Sequence, residues 1–473
     1  MDFKNTRSAL AYNVGGLFDM VNGRYVMGMD GQMILNGGLA STVSVGGPAN
    51  VGKTEQSIFL IANVLSTYCA PSNDVKVLAL DTEYSLDLER FERIFSRYEN
   101  LKDMDVFSTD GPVIINDQSQ GWGDEWFELI KTYAAERNKK LAKLIRKTPA
   151  IDQIASKDAG TNVALSLPVP TIAFLDSLSE LKTSEVQNKT LEKNNVGSSD
   201  NNMLYMREAN AKAQILTQVG RICRLGGLIW VNTAHYGFKA EMGGQYDPKP
   251  VDLTHGRRGL TPKGVTEKYK FVGQITYETH GHGIKSASGE GVEYPAIPSD
   301  RENDCKDLTW ALIVPSRNKS GNSGGGFKLI SSQREGVRMD LTCYDYLKNE
   351  GKRFGLTGDK GATNFAFDLL PDVNLTRTTI RGKMRNDERL RRVAELTAQI
   401  AYMYRCWDID DKYIMTMPEI IEKITAKGYT LDEIVNTRGH WCFVEDEKYF
   451  KNELSAIDLL RIAVGEFTPK WKK

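Results

Sequence analysis

Apolar residues in this chain recur in two rhythms that alternate along it. Runs of strand length fall at residues 39–45, 75–81, 169–179, 226–234, 269–278, 307–315 and 326–331. Between several of them the spacing changes to three and four, the spacing of one helix face. Residues 55–68 put Ile58, Ile61, Ala62 and Leu65 on one side. Residues 124–147 do so with Trp126, Phe127, Ile130, Tyr133 and Ala134, and residues 204–224 with Ala211, Ile215, Val219 and Ile222. Residues 87–98 read as a charged helix and residues 9–21 as a short one. Strands alternating with helices predict an α/β fold with a central, mostly parallel twisted sheet, since parallel neighbours need long crossovers.

From about residue 344 the pattern turns helical, at 344–350, 385–404, 417–427 and 453–465, with 358–363 as a flexible connection. The chain therefore divides into an N-terminal lead or oligomerisation segment (1–38), an α/β core (39–343) and a small α-rich C-terminal domain (344–473). Two stretches inside the core lack periodicity. Residues 182–202 are polar and read as a mobile loop. Residues 236–266 are rich in glycine and proline, and long enough to be functional or disordered.

Charge narrows the picture. Lys+Arg and Asp+Glu both total 61 in 473 residues, so any nucleic-acid surface must be a local patch. The basic end of 124–147 (Arg137, Lys139, Lys140, Lys143, Arg146, Lys147) reads as a solvated face. No apolar run reaches membrane-spanning length. The first residues lack the basic-then-apolar build of a signal peptide. An intracellular, cytoplasmic protein with no membrane partner is expected. The six cysteines are scattered without C-x-x-C spacing, which predicts free thiols. His280 and His282 read as a surface turn.

The chemistry is concentrated at residues 47–54, GPANVGKT, between a predicted strand and a predicted helix. The sequence fits G-x-x-x-x-G-K-[ST], the phosphate-binding P-loop. Its glycines let the backbone wrap a triphosphate, and the helix N-terminus faces the negative charge. Lys53 would reach the β/γ-phosphates and Thr54 would hold Mg²⁺, so ATP and Mg²⁺ are the expected cofactors. The run at 75–81 ends in Asp81-Thr82-Glu83, which places a candidate water-activating carboxylate, Glu83, at a strand's carboxyl end. In the run at 169–179 apolar residues lead into Asp176-Ser177, the form of a Walker B element whose Asp holds Mg²⁺ through water. The 236–266 stretch mixes Lys239, Arg257, Arg258 and Lys263 with Tyr236, Phe238 and Tyr246, a composition suited to single-stranded nucleic acid. Arg317 and Lys319 follow the strand at 307–315 and are expected on the ligand side of the sheet, where they would neutralise phosphate.

The order of these features resembles the RecA family of recombinases, in particular its phage UvsX-like branch, over roughly residues 30–350. The similarity is greatest at GPANVGKT (47–54), LALDTEYSLD (78–87), AFLDSLSEL (173–181) and IWVNTAHYG (229–237). The resemblance implies a RecA-like P-loop ATPase core. It implies that Glu83 activates water, that Asp87 lies near adenine, and that Asp176 and Ser177 are the Walker B pair. With the motif residues Gly47, Pro48, Ala49, Asn50, Val51, Gly52, Lys53 and Thr54, the nucleotide-contacting set then includes Glu55, Asp87, Ser177 and Asn232. The segments around 182–203 and 236–265 match the family's two DNA-binding loops. Arg317 and Lys319 match a basic pair that reaches the ATP of the next subunit. Thr233 stands where the RecA branch has a glutamine that senses the γ-phosphate, so Asn232, Thr233 or His235 takes that role.

The implied function is an ATP-dependent recombinase that forms head-to-tail filaments on single-stranded DNA and pairs it with homologous duplex. A loader or single-strand-binding protein is a further implied partner, and the host cytoplasm the location for a phage protein. The alternatives are a RecA-core hexameric helicase and a non-hydrolysing nucleotide-binding assembly protein.

Overall fold

A computed structural model describes residues 10–68, 76–108, 111–119, 121–192, 201–238, 260–265, 275–283, 293–297, 307–319, 325–359 and 364–473. Its centre is a ten-stranded sheet. Six neighbouring strands run parallel, in the order Ile275–Gly283, Thr42–Gly47, Leu228–Phe238, Thr171–Asp176, Val77–Asp81 and Val113–Asp117. Three antiparallel strands, Leu308–Asn318, Phe327–Ser332 and Gly336–Val337, extend the Ile275 edge. The parallel strands are apolar on both faces because helices cover both. Ile172, Phe174, Ile229 and Val231 face the side of helix Lys53–Tyr68. Ala173, Leu175 and Trp230 face helices Gly123–Leu144 and Asn201–Gly226. Alternate residues of one strand thus feed two separate cores.

Several expectations change on the structure. The helix expected over 124–147 ends at Leu144. Residues Ile145–Ile151 then form a strand paired with Ala164–Pro168, so Arg146 and Lys147 sit on a two-stranded ribbon. Pro149 cannot continue a helix, and it disfavours helical geometry in the residue before it. The connection expected at 358–363 belongs to a small sheet of Gly358–Asp359, Asn364–Phe367 and Leu370–Thr376, with 360–363 outside the described residues. His280 and His282 lie on the strand Ile275–Gly283, not in a turn. The polar stretch 182–202 holds a helix at Ser184–Glu192; residues 193–200 lie outside the described set. The short N-terminal helix is Gly16–Val21, wholly buried in its own chain.

The C-terminal helices do not build a core of their own. Trp441 is fully buried against Tyr68 of the Lys53–Tyr68 helix, with ring centroids 4.5 Å apart, and Tyr12 closes a triangle of rings, 6.1 Å from Trp441 and 5.1 Å from Tyr68. Gly16 N–H donates to Glu395, and Met33 N–H donates to Asp458. One continuous apolar cluster runs from Leu10 through the Lys53–Tyr68 helix to Ala463.

Trp441→Ala should therefore cost about 3–5 kcal/mol, the usual loss for emptying an aromatic core site. Urea unfolding followed by tryptophan fluorescence and by far-UV circular dichroism should give one coincident transition at lower midpoint. Two separated transitions would contradict the shared core.

Candidate nucleotide-binding and catalytic site

Four adjacent parallel strands end at the same sheet edge, and their ends carry the polar residues. Register fixes the alignment: Gly47 is level with His235, and Asp81 with Asp176. Loop 47–54 leaves the first of these strands and enters the helix that begins at Lys53. Asn50 and Gly52 take positive φ, 59° and 79°, the left-handed geometry of a tight loop. Gly47 has to be glycine, because a Cβ there would lie 2.3 Å from the Thr279 carbonyl oxygen.

Lys53 folds back over this loop. Its Nζ donates to the Pro48 carbonyl at 2.7 Å and lies 3.3 Å from His235 Nδ1. His235 Nε2 is 2.6 Å from Glu83 Oε1. Lysine has only donors, so Nδ1 is the acceptor and the ring proton is assigned to Nε2, which donates to Glu83. Burial lowers the Lys53 ammonium's pKa, with Asp176 and Glu83 pulling it back up. The bond from His235 holds the Glu83 carboxyl below its usual range, against partial burial. Asp81 pins the turn that presents Glu83: its carboxylate accepts from Glu83 N–H at 3.0 Å and from Leu86 N–H at 2.6 Å.

Beside this triad lies a second pair. Thr54 Oγ1 donates to Asp176 Oδ2 at 2.6 Å, and the Thr233 hydroxyl donates to Asp176 Oδ1. Burial raises the Asp176 carboxyl, offset by those two hydroxyls. Ser177 is buried beside it, bonded through its backbone to the Thr82 hydroxyl in both directions at 2.7 Å. The Asp176–Ser177 peptide bond is cis. A hydroxyl and a carboxylate side by side at loop 47–54 fit Mg²⁺, which takes one or two protein ligands and completes its shell with water and other oxygens. Among the described residues there is no cluster of three or more His, Cys, Asp or Glu suited to a metal held by protein alone.

The remaining candidates fall elsewhere. Asn232 points to the opposite sheet face from Thr233 and His235; its Oδ1 accepts from Ser44 and Trp230, at 3.0 and 3.1 Å. Asp87 is exposed and caps helix Leu88–Phe95 by accepting from Arg90 N–H. Glu55 pairs with Arg90 and Arg93, at 3.6 and 4.0 Å. Lys263 is exposed, and its N–H donates to the His235 carbonyl at 2.8 Å. Lys239, Arg257 and Arg258 lie outside the described residues.

Arg317 and Lys319 require a correction. Their strand runs antiparallel, so its end lies at the edge opposite the loop: Arg317 pairs with Thr276, which is level with Ser44 at the start of the Thr42–Gly47 strand. Two strand spacings across and three residues along place Arg317 Cα roughly 14 Å from Gly47 Cα. Strand direction decides which edge a strand end occupies, and the spacing of residues does not report direction. The contact from His235 to Glu83 was also missed. Its one sequence signal is parity, since His235 shares a strand face with Thr233.

No family model matches this chain, and no curated protein does. Among solved structures it is similar to the crystal structure of the RadB recombinase, at 14% identity and TM-score 0.32, over 64% of this chain and 92% of that one. So distant a likeness carries no residue roles. No helix among the described residues is long and apolar enough to cross a membrane.

The Glu83–His235 bond has a pH signature. A carboxyl lowered in the folded state adds stability above the ordinary glutamate value, about 4.3, and that stability is lost as pH falls through the lowered value. The stability difference between the wild type and Glu83→Gln should be constant near neutrality and shrink below about pH 4.3. Urea titrations from pH 7 to pH 3 measure it; a difference independent of pH would mean that His235 does not hold Glu83.

Proposed function

We propose that this chain is a DNA-dependent ATPase of the RecA-family recombinase type, which assembles head to tail on single-stranded DNA and pairs it with homologous duplex. The observation that carries the ATPase reading is the chain Lys53–His235–Glu83 beside Thr54–Asp176, all at the loop 47–54. In this reading the loop amides and Lys53 hold the triphosphate. Thr54 and Asp176 would hold Mg²⁺, which would supply charge neutralisation on the phosphates. Glu83, kept anionic by His235, orients a water and takes its proton as the oxygen bonds to the γ-phosphorus and the bond to the β-phosphate oxygen breaks. Thr233 and His235, which face the phosphate loop, are the residues to report the γ-phosphate.

The recombinase part rests on the order of motifs along the chain and on the place of Arg317 and Lys319. At the edge away from their own loop they suit the loop of a second protomer stacked beneath. Each site would then be completed by its neighbour, and turnover would depend on assembly.

ATPase assays with and without single-stranded DNA test the reading. Strong stimulation is expected, and Lys53→Ala should abolish nucleotide binding. Turnover that ignores DNA, or retained tight ATP binding in that variant, would overturn it. Mixing tests the shared site. Arg317→Ala/Lys319→Ala and Glu83→Gln should each be nearly inactive, and an equal mixture should regain about a quarter of wild-type turnover, because about one interface in four then pairs the two intact halves. A mixture as inactive as its components would exclude completion in trans.

A further inference from the structure

Lys212 lies in the middle of helix Asn201–Gly226, and its side chain has no exposure at all. A buried ammonium is costly unless it is paired and hydrogen-bonded. Among the described residues its ion-pair partner is Glu208, at 2.8 Å and itself only 7% exposed. Burial lowers the Lys212 ammonium's pKa, and Glu208 opposes the shift. An apolar side chain would fill this helix position without such a pair, so what the ammonium holds matters.

It holds Ser179. Lys212 Nζ donates to the Ser179 carbonyl at 2.9 Å. The Ser179 hydroxyl in turn accepts from His235 N–H at 2.9 Å. The other backbone group of His235, its carbonyl, accepts from Lys263 N–H. The next residue, Gly264, sits against the same ammonium: a Cβ built there would lie 3.5 Å from Lys212 Nζ and 3.3 Å from the Ser179 carbonyl oxygen. Gly264 has φ of +63°, so both conformation and space favour glycine. Both backbone groups of His235 are thus held by segments that converge on one buried lysine.

We propose that the Lys212–Glu208 pair is a positioning unit for catalysis, which fixes the His235 backbone so that its ring spans Lys53 and Glu83. The inference rests on the ATPase reading above. Lys212 touches neither Lys53 nor Glu83, and its role is geometric. Without the ammonium, the Ser179 carbonyl loses its donor and the 263–264 turn loses a packing neighbour, and the ring shifts from its two partners. A displacement of an ångström is enough to lower turnover by orders of magnitude while leaving phosphate binding nearly intact.

The test compares Lys212→Met, Lys212→Arg and Ser179→Ala with the wild type, each first shown to be folded by circular dichroism and thermal melting. Ser179→Ala removes a single hydroxyl and keeps the assay informative where Lys212→Met, which strands Glu208, fails to fold. Single-turnover ATP hydrolysis is measured with ATP affinity, and the five histidine rings are followed by proton–nitrogen NMR. Expected are a fall of tenfold or more in kcat for Lys212→Met and Ser179→Ala, ATP affinity within about twofold, and a changed His235 ring signal. Lys212→Arg should recover most of the rate. Unchanged kcat in folded Ser179→Ala, or an unaltered His235 ring signal, would overturn the proposal. So would an equal loss of affinity and rate. Absence of turnover in the wild type would instead sink the ATPase reading, and the NMR comparison would still test whether Lys212 positions the ring.

Discussion

An ammonium group almost fully removed from water needs partners, and the carboxyl edge of the sheet supplies them to Lys53. Its neighbours are a carbonyl of its own loop, an imidazole and two carboxylates that oppose the cost of burial. None of these comes from nearby in sequence except Pro48. They meet because parallel strands stop in register, so that Gly47, Asp81, Asp176 and His235 share one edge. A one-residue slip in any of these strands would turn its polar residue to the wrong face. The apolar cores above and below the sheet oppose that slip, since it would drive Ile172 and Phe174 into the space now filled by Ala173 and Leu175 and leave their own places to the smaller alanine.

The same edge separates two kinds of carboxylate. Asp176, deep and bonded by two hydroxyls, suits a cation. Glu83, half-exposed and bonded by an imidazole, suits a water. Desolvation dominates at the first and a hydrogen bond at the second, so two acids a short distance apart are tuned in opposite directions.

The sequence showed much of this architecture. The α/β alternation followed from two periodicities, and so did the strand-to-helix setting of residues 47–54. The positions of Glu83 and Asp176 at neighbouring strand ends were legible because a carboxylate at the end of a buried apolar run has few other places to be. What was illegible depends on direction or distance. The antiparallel course of the Leu308–Asn318 strand moved Arg317 and Lys319 to the far edge. Face parity put Asn232 behind the sheet and His235 in front of it. The Lys212–Glu208 pair gives no periodic signal, since a buried lysine reads as an exposed one. The C-terminal helices read as a separate domain because their patterns are regular; their buried residues belong to the same apolar cluster as the Lys53–Tyr68 helix, and Trp441 in the segment between them meets Tyr12 and Tyr68.

The phosphate site is the central claim, and calorimetric titration of a slowly hydrolysed ATP analogue into the protein, with and without Mg²⁺, tests it most directly. One equivalent should bind in the micromolar range or tighter, and chelation of Mg²⁺ should weaken it markedly. No measurable binding, or binding indifferent to Mg²⁺, would mean that the residues around Lys53 and Asp176 hold the fold together and nothing else.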